Sequence, residues 1–272
     1  MNIGYILENF DVNLSPDYLL QTALYAEKLG FHSIWTTDHI MQPVENRLTI
    51  YNRIVEAIST LLFLAGHTKN VKLGISTLVL PIRNTILVAK QLATLDYLTN
   101  GRLISSFGAG WNKDEFEFMG MNFSNRGKRM NEQLQVIRSL WQGEQSFEGK
   151  YHSYTKASFE PRSDTLANSP ILVAGNSEHA LKRGVTYGTG WHPSGMKPDD
   201  IKKALEPYQE QLKDKTFDIW IRVAYLPQVD YATFVPEYEK LGVTGLVFDC
   251  SKEKEKNPLD QMSALMEDSK NW

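Results

Sequence analysis

His39 is suited to take or give a proton near neutral pH, and it directly follows Asp38, a carboxylate that can orient an imidazole. The pair stands at the end of Ser33 to Thr37, which reads as a short strand. Other strand-like runs end in residues that could meet a ligand. Leu73-Gly74-Ile75-Ser76-Thr77-Leu78 carries small polar residues where an apolar run is expected. That pattern fits a sheet edge or bulge, or a backbone distortion beneath a flat ligand. Gly108-Ala109-Gly110-Trp111 lets backbone approach a ligand closely and offers an indole, either to stack on a ring or to fill a gap. It lacks the third glycine of a dinucleotide fingerprint. Gly175-Asn176-Ser177 is a glycine turn opening onto a helix. Free amides and the helix dipole attract phosphate at such a place, although Ser177 also fits a plain helix cap. Trp191 follows Gly190 and brings a second aromatic to a strand end.

These segments share a position because strands and helices alternate along the chain. Strand-like runs occur at Asn2–Leu7, Ser33–Thr37, Val71–Leu80, Arg102–Phe107, Pro170–Ala174, Gly190–His192, Phe217–Leu226 and Thr244–Asp249. Helices start at Ser15-Pro16-Asp17, near Arg53, at Asn84, Ser124 and Ser177, at Asp199, at Tyr231 and at Leu259. Gly30 and Gly143 end two of them. Residues near Gln145 to Asn168 read as an irregular excursion, a candidate lid. Strands separated by helices pair in parallel with right-handed crossovers, and eight such units favour a closed (β/α)8 TIM-type barrel over an open doubly wound sheet. Either fold places its ligand at the carboxyl ends of the strands.

Composition narrows the class. The 272 residues suit one barrel domain spanning 1–272, with 42% apolar residues to fill it and a net charge of -3 that gives no broad attraction to nucleic acid or anionic lipid. Cys250 is the single cysteine, so no intrachain disulfide forms. The start, Met1-Asn2-Ile3-Gly4, lacks a secretory pattern, and no apolar run is long enough to span a bilayer. A cytoplasmic protein without nucleic-acid or membrane partners is expected. No metal site is expected either: the His-x-His of barrel metallohydrolases is absent. A Schiff-base lyase is disfavoured because Lys113 and Lys252 lie beyond the strand ends. Arg83, Cys250, His67, His152 and His179 are assigned to structure or surface, and Lys252 to Lys256 to a solvated loop.

Taken in order, the motifs resemble the bacterial luciferase-like family. The resemblance is carried by Gly30-Phe31-His32-Ser33-Ile34-Trp35 leading to Thr37-Asp38-His39, by Leu73-Gly74 through Arg83-Asn84, and by Ala89-Lys90-Gln91-Leu92-Ala93-Thr94-Leu95-Asp96. Gly101-Arg102-Leu103 through Trp111, Arg126-Gly127-Lys128-Arg129, Pro170 to Gly175 and Tyr187 to Trp191 continue it. The resemblance implies a flavin- or F420-dependent oxidoreductase or monooxygenase acting on a small organic substrate. It implies reduced FMN or coenzyme F420 as cofactor, a homodimer, and a separate flavin reductase for an FMN enzyme. It implies a non-prolyl cis peptide at Ser76-Thr77 supporting the ring, His39 (oriented by Asp38) as the active-site acid or base, and phosphate binding at Gly175, Asn176 and Ser177. Gly108, Gly110, Trp111 and Trp191 would wall the pocket. Trp111 stands where some deazaflavin-dependent dehydrogenases carry an acid, which argues against a sugar-phosphate mechanism. The excess of lysine over arginine suggests an AT-rich genome and leans towards FMN. The alternative is a relative that binds flavin without turnover.

Overall fold

The computed structural model describes residues 1–10, 14–44, 51, 53–226, 228–251 and 257–272. Lys252 to Lys256 and most of the Met41 to Tyr51 loop lie outside the described residues. The strands are β1 (Asn2–Ile6), β2 (Ser33–Thr36), β3 (Lys72–Ile75), β4 (Leu78–Val79), β5 (Leu103–Gly108), β6 (Phe147–Glu148), β7 (Ser153–Tyr154), β8 (Ile171–Ala174), β9 (Gly190–His192), β10 (Asp218–Ala224) and β11 (Gly245–Asp249). The helices are α1 (Pro16–Leu29), α2 (Ala57–Ala65), α3 (Thr85–Leu98), α4 (Lys113–Phe118), α5 (Arg126–Gln142), α6 (Glu178–Tyr187), α7 (Pro198–Leu205), α8 (Gln209–Leu212), α9 (Tyr231–Lys240) and α10 (Pro258–Asp268).

Parallel pairing runs β3-β2-β1-β11-β10-β9-β8-β5, and a β3–β5 ladder closes the ring. With β4 continuing β3 along β5, the result is the expected closed barrel of 8 strand positions. The β3–β4 stave holds a bulge. Gly74 pairs with Ile104 and Leu78 with Phe107, so four steps on one strand face three on its neighbour. Ser76 and Thr77 occupy the bulge, and their peptide bond is cis.

Local signals set the helix ends. Ser15 accepts a hydrogen bond from the Tyr18 amide, Pro16 follows, and Gly30 terminates α1 at φ 85°. Asn84 caps α3 through the Leu87 amide. The helix expected from Arg53 begins instead at Ala57, where Glu56 accepts from the Ser59 amide. The single helix expected over Asp199 to Lys213 divides into α7 and α8 at a 3-10 turn containing Pro207. Proline removes the amide that would continue the ladder.

Six side chains fill the barrel interior: Ile6, Trp35, Ile104, Leu172, Trp220 and Val247. Two indoles fit only because inward-facing neighbours are small. A Cβ on Gly74 would stand 2.4 Å from Trp35 Cδ2, and one on Gly245 would stand 2.4 Å from Trp220 Cζ3. A larger core lies between staves and helices, with Ile34, Leu73, Val173, Trp191 and Phe248 facing outward.

The excursion from Gln145 to Asn168 is not a lid over the mouth. The β6–β7 hairpin is tied to the second turn of α5, where the Glu132 carboxylate accepts from the Lys150 and Tyr151 amides at 2.7 Å. His152, expected to be a surface residue, bonds Glu132 and the Thr85 hydroxyl. Further on, Thr165 donates to Asp96 at the far end of α3, which is the amino-terminal side of the barrel. The segment therefore runs down the outer wall of α3 and α5.

Candidate functional site at the barrel mouth

Strand alternation builds the mouth. One pleat above the apolar interior, the inward positions become Thr37, Ser76, Ser106, His192, Arg222 and Asp249. Several of them join across the barrel. Ser76 Oγ lies 2.8 Å from His192 Nε2, while His192 Nδ1 lies 2.6 Å from the Trp220 carbonyl. Arg222 donates to the Ser76 carbonyl at 3.2 Å and to Asp249 Oδ2 through Nε and Nη2. Thr77 Oγ1 and Ser106 Oγ are 3.1 Å apart. Beneath them His192 stacks on Trp35, with ring centroids 5.2 Å apart and an interplanar angle of 13°. The result is a polar floor on an aromatic base.

The floor has a defined charge state. Burial pushes the His192 imidazole down to about 4, and the neighbouring Arg222 charge acts the same way against the opposing bond to Trp220. The ring is neutral at pH 7. A carbonyl only accepts, so Nδ1 carries the proton and Nε2 accepts from the Ser76 hydroxyl. Burial would raise Asp249, but the Arg222 guanidinium and the Ser251 hydrogen bonds outweigh it and hold this carboxyl below the usual range.

His39 lies at the same end of the barrel, buried, beyond β2. Its Nδ1 is 3.2 Å from Glu115 Oε2, and the other Glu115 oxygen accepts from the Ile40 amide at 2.6 Å. Glu115 is 1% exposed. Trp111, 59% exposed, meets the His39 ring edge-on at 5.7 Å, and Tyr51 meets it at 4.9 Å. Nδ1 is thus committed to Glu115, which leaves Nε2 to face a ligand.

Asp38 does not orient His39. Its oxygens accept from the Val79 amide at 2.9 Å and from Arg83 Nη2 at 2.6 Å. Arg83 also pairs with Glu56. Burial raises the Asp38 pKa despite these partners. The two adjacent side chains have different partners, Asp38 with Arg83 and the Val79 amide and His39 with Glu115. Asp38 instead locks the β2 end to β4.

The remaining expected residues divide. Gly108 and Gly110 flank the mouth at the end of β5. A Cβ on Gly108 would come 2.8 Å from Thr77 Cγ2, and Gly110 holds φ 77° beside Val79 and Phe116. Gly175, at φ 121°, turns the chain from β8 into α6, where Ser177 accepts from the Ala180 amide. The Asn176 side chain is fully used: it donates to the Ser194 carbonyl at 2.7 Å and accepts from the Ser194 amide at 2.8 Å. Trp191 does not wall the mouth. His192 points inward, so Trp191 points outward into the helix layer, and its Nε1 donates to the Gly175 carbonyl at 2.8 Å.

Sequence reasoning missed Glu115, His192, Arg222 and Asp249. Asn112 followed by Asp114 and Glu115 is a helix-start signal that marks α4, and Asn112 does accept from the Asp114 amide. For the other three the signal is strand alternation, which fixes direction only once a neighbour's facing is known.

Fold and mouth together define a parallel α/β barrel with a buried polar floor at its carboxyl end. The chain belongs to the luciferase-like monooxygenase family, whose profile matches residues 3–229, and with it to the oxidoreductases. Over 193 residues it is 29% identical to the oxygenase component of a flavin-dependent trigonelline monooxygenase from Acinetobacter baylyi, covering 70% of this chain and 52% of that protein. The chain therefore spans about half that relative's length. It is 26% identical over 224 residues to an F420-dependent glucose-6-phosphate dehydrogenase from Amycolatopsis mediterranei, covering 77% of this chain and 66% of the other. A solved F420-dependent secondary alcohol dehydrogenase, in complex with an F420-acetone adduct, shares the fold with a TM-score of 0.75 at 18% identity, covering 91% of this chain and 92% of that one. Among the described residues no helix is long and apolar enough to cross a membrane.

Proposed function

We propose that this chain binds reduced FMN, in preference to F420, at the barrel mouth and oxygenates a small organic molecule there. The observation that carries the reading is the presence of the buried His39–Glu115 pair and the Ser76–Thr77 bulge at one end of one barrel. The floor suits a flat polar ring. It presents the hydroxyls of Ser76, Thr77 and Ser106, and the buried Thr37 Oγ1, which faces inward without a hydrogen-bond partner. At Gly108 a side chain would fill the space beside Thr77. When bound, the cofactor supplies the redox chemistry, with oxygen in the case of FMN or by hydride transfer in the case of F420.

The protein's own residues do the rest. The backbone amides of Asn176 and Ser177, at the start of α6, hold the phosphate, since the Asn176 side chain is committed to Ser194 and the Gly175 amide donates to the His192 carbonyl. Ser76, fixed as a donor to His192, offers its remaining lone pairs to a ring N–H. His39 exchanges a proton through Nε2. Trp111 covers that proton route from water. FMN is favoured by the likeness to a flavin-dependent oxygenase component, which also supports a separate reductase as partner. The reading includes a homodimer, for which Phe63 of α2 and Leu87 and Leu98 of α3 supply exposed apolar surface.

The test is anaerobic titration of the purified chain with reduced FMN and, separately, reduced F420, followed by absorbance, then oxygen. FMN is expected to bind more tightly and to give oxygen-dependent turnover in the presence of substrate. His39→Ala is expected to keep cofactor binding and lose turnover. Binding of neither cofactor ends the proposal.

A further inference from the structure

Opposite the mouth, two hollows open on the amino-terminal side of the barrel. One, of about 600 Å³, lies among the ends of α5 and α6 and the segment leading into β10. The other, of about 380 Å³, lies between α7–α8 and the end of α9. Lys215 and Phe217 line both, so the two share a wall. Thr189, Phe217 and Gly242 immediately precede β9, β10 and the turn into β11, which fixes the location at the strands' amino ends.

Arg138 and Lys215 line the larger hollow, and Lys202, Lys213, Lys215 and Lys240 the smaller, and among the described residues no acidic side chain lines either. Among the described residues none of these four lysine side chains has an ion-pair or hydrogen-bond partner. Arg138 donates only to the Tyr187 carbonyl at 3.3 Å. Burial lowers its pKa, and no carboxylate acts against that. Cations gathered along one lining repel one another, and here they gather in a chain whose net charge is -3. Between them the floor is apolar, with Leu205, Leu212, Ile219 and Leu241 beside Phe217.

We infer that these adjoining hollows bind a phosphorylated ligand carrying a flat or apolar body, of the nucleotide kind. The phosphates meet Lys215 and the cations that flank it, and the ring lies against Phe217 and the leucines. The site is separate from the mouth and independent of the cofactor that binds there.

The probes are ADP, adenosine and inorganic pyrophosphate, each titrated into the purified protein by calorimetry. ADP is expected to bind at least about tenfold more tightly than adenosine or pyrophosphate, because only ADP uses both the cations and the apolar floor. Lys215→Glu and, separately, Lys240→Glu are expected to weaken ADP binding by about tenfold, while Lys113→Glu on the mouth side changes nothing. Circular dichroism verifies that each variant is folded. No ADP binding at about 1 mM, ADP binding unchanged by both Lys215→Glu and Lys240→Glu, or pyrophosphate binding as tightly as ADP would each overturn the proposal. None of these results bears on FMN or F420 at the mouth, so the two readings fail separately.

Discussion

Ser76 and His192, 116 residues apart in the chain, meet across the barrel at 2.8 Å, and the direction of their hydrogen bond is fixed by a third group. The Trp220 carbonyl takes the only proton on the neutral imidazole, so the Ser76 hydroxyl must donate. A side chain on the floor thereby has its polarity set before any ligand arrives.

Acid should act on the fold through His192. Its folded pKa, about 4, lies below the ordinary value of 6.5, so the unfolded chain takes up the proton first. Stability is full above pH 6.5 and falls as pH drops towards 4, by about 3 kcal/mol for this group alone. His192→Gln cannot titrate. Urea unfolding at pH 7 and pH 4.5 is expected to show a smaller acid loss in this variant than in wild type. Equal losses would remove His192 as the cause.

Glu115→Gln should disable His39 while leaving the fold intact. The amide oxygen can still accept from the Ile40 N–H, but its NH2 then faces His39 Nδ1. That arrangement turns Nδ1 into an acceptor and puts the proton on Nε2, the wrong tautomer for taking a proton from substrate. A drop of about 10²- to 10⁴-fold in kcat/KM is expected, with melting temperature little changed. Asp38→Asn, which touches Arg83 and the Val79 amide and not His39, should instead lower stability.

Arg83→Met isolates the buried Asp38. Removing the guanidinium leaves a carboxylate with only the Val79 amide to hold it, a loss of about 3–5 kcal/mol at pH 7. Burial raises the Asp38 pKa in the folded state, so stability from this group is lost as pH rises. The damage in Arg83→Met should therefore be smaller at pH 5 than at pH 7, read by denaturant titration at both.

Gly74→Ala should overpack the barrel interior. The added methyl would stand 2.4 Å from Trp35 Cδ2 inside a fixed ring of strands, and about 1–3 kcal/mol of destabilisation is expected. Trp35→Phe in the same chain should recover part of it, because the smaller ring vacates the contested space. A double-mutant cycle measures this coupling, and strict additivity would show the clash is relieved elsewhere.

The alternation of strands and helices, the caps at Ser15 and Asn84, the stop at Gly30 and the barrel itself were legible in the chain, because each depends on local backbone chemistry or on a short repeating pattern. So was the odd stretch at Ser76-Thr77, since polar residues in a buried strand advertise themselves. His39 was visible as a residue type, but its partner was not. Adjacency suggested Asp38, whereas the carboxylate that reaches it comes from Glu115, 76 residues away. Trp191 was likewise recognised by position and given the wrong neighbours.

What the sequence by itself determined is which residues sit near strand ends and how each element starts and stops. Only the closed barrel decided which side chains face inward together. A one-residue shift of facing separates Trp191 in the helix layer from His192 on the floor, and a one-residue bulge turns Ser76 and Thr77 to the same mouth. Such facing depends on how the ring of strands closes through contacts between distant residues, and local propensity carries no record of those contacts.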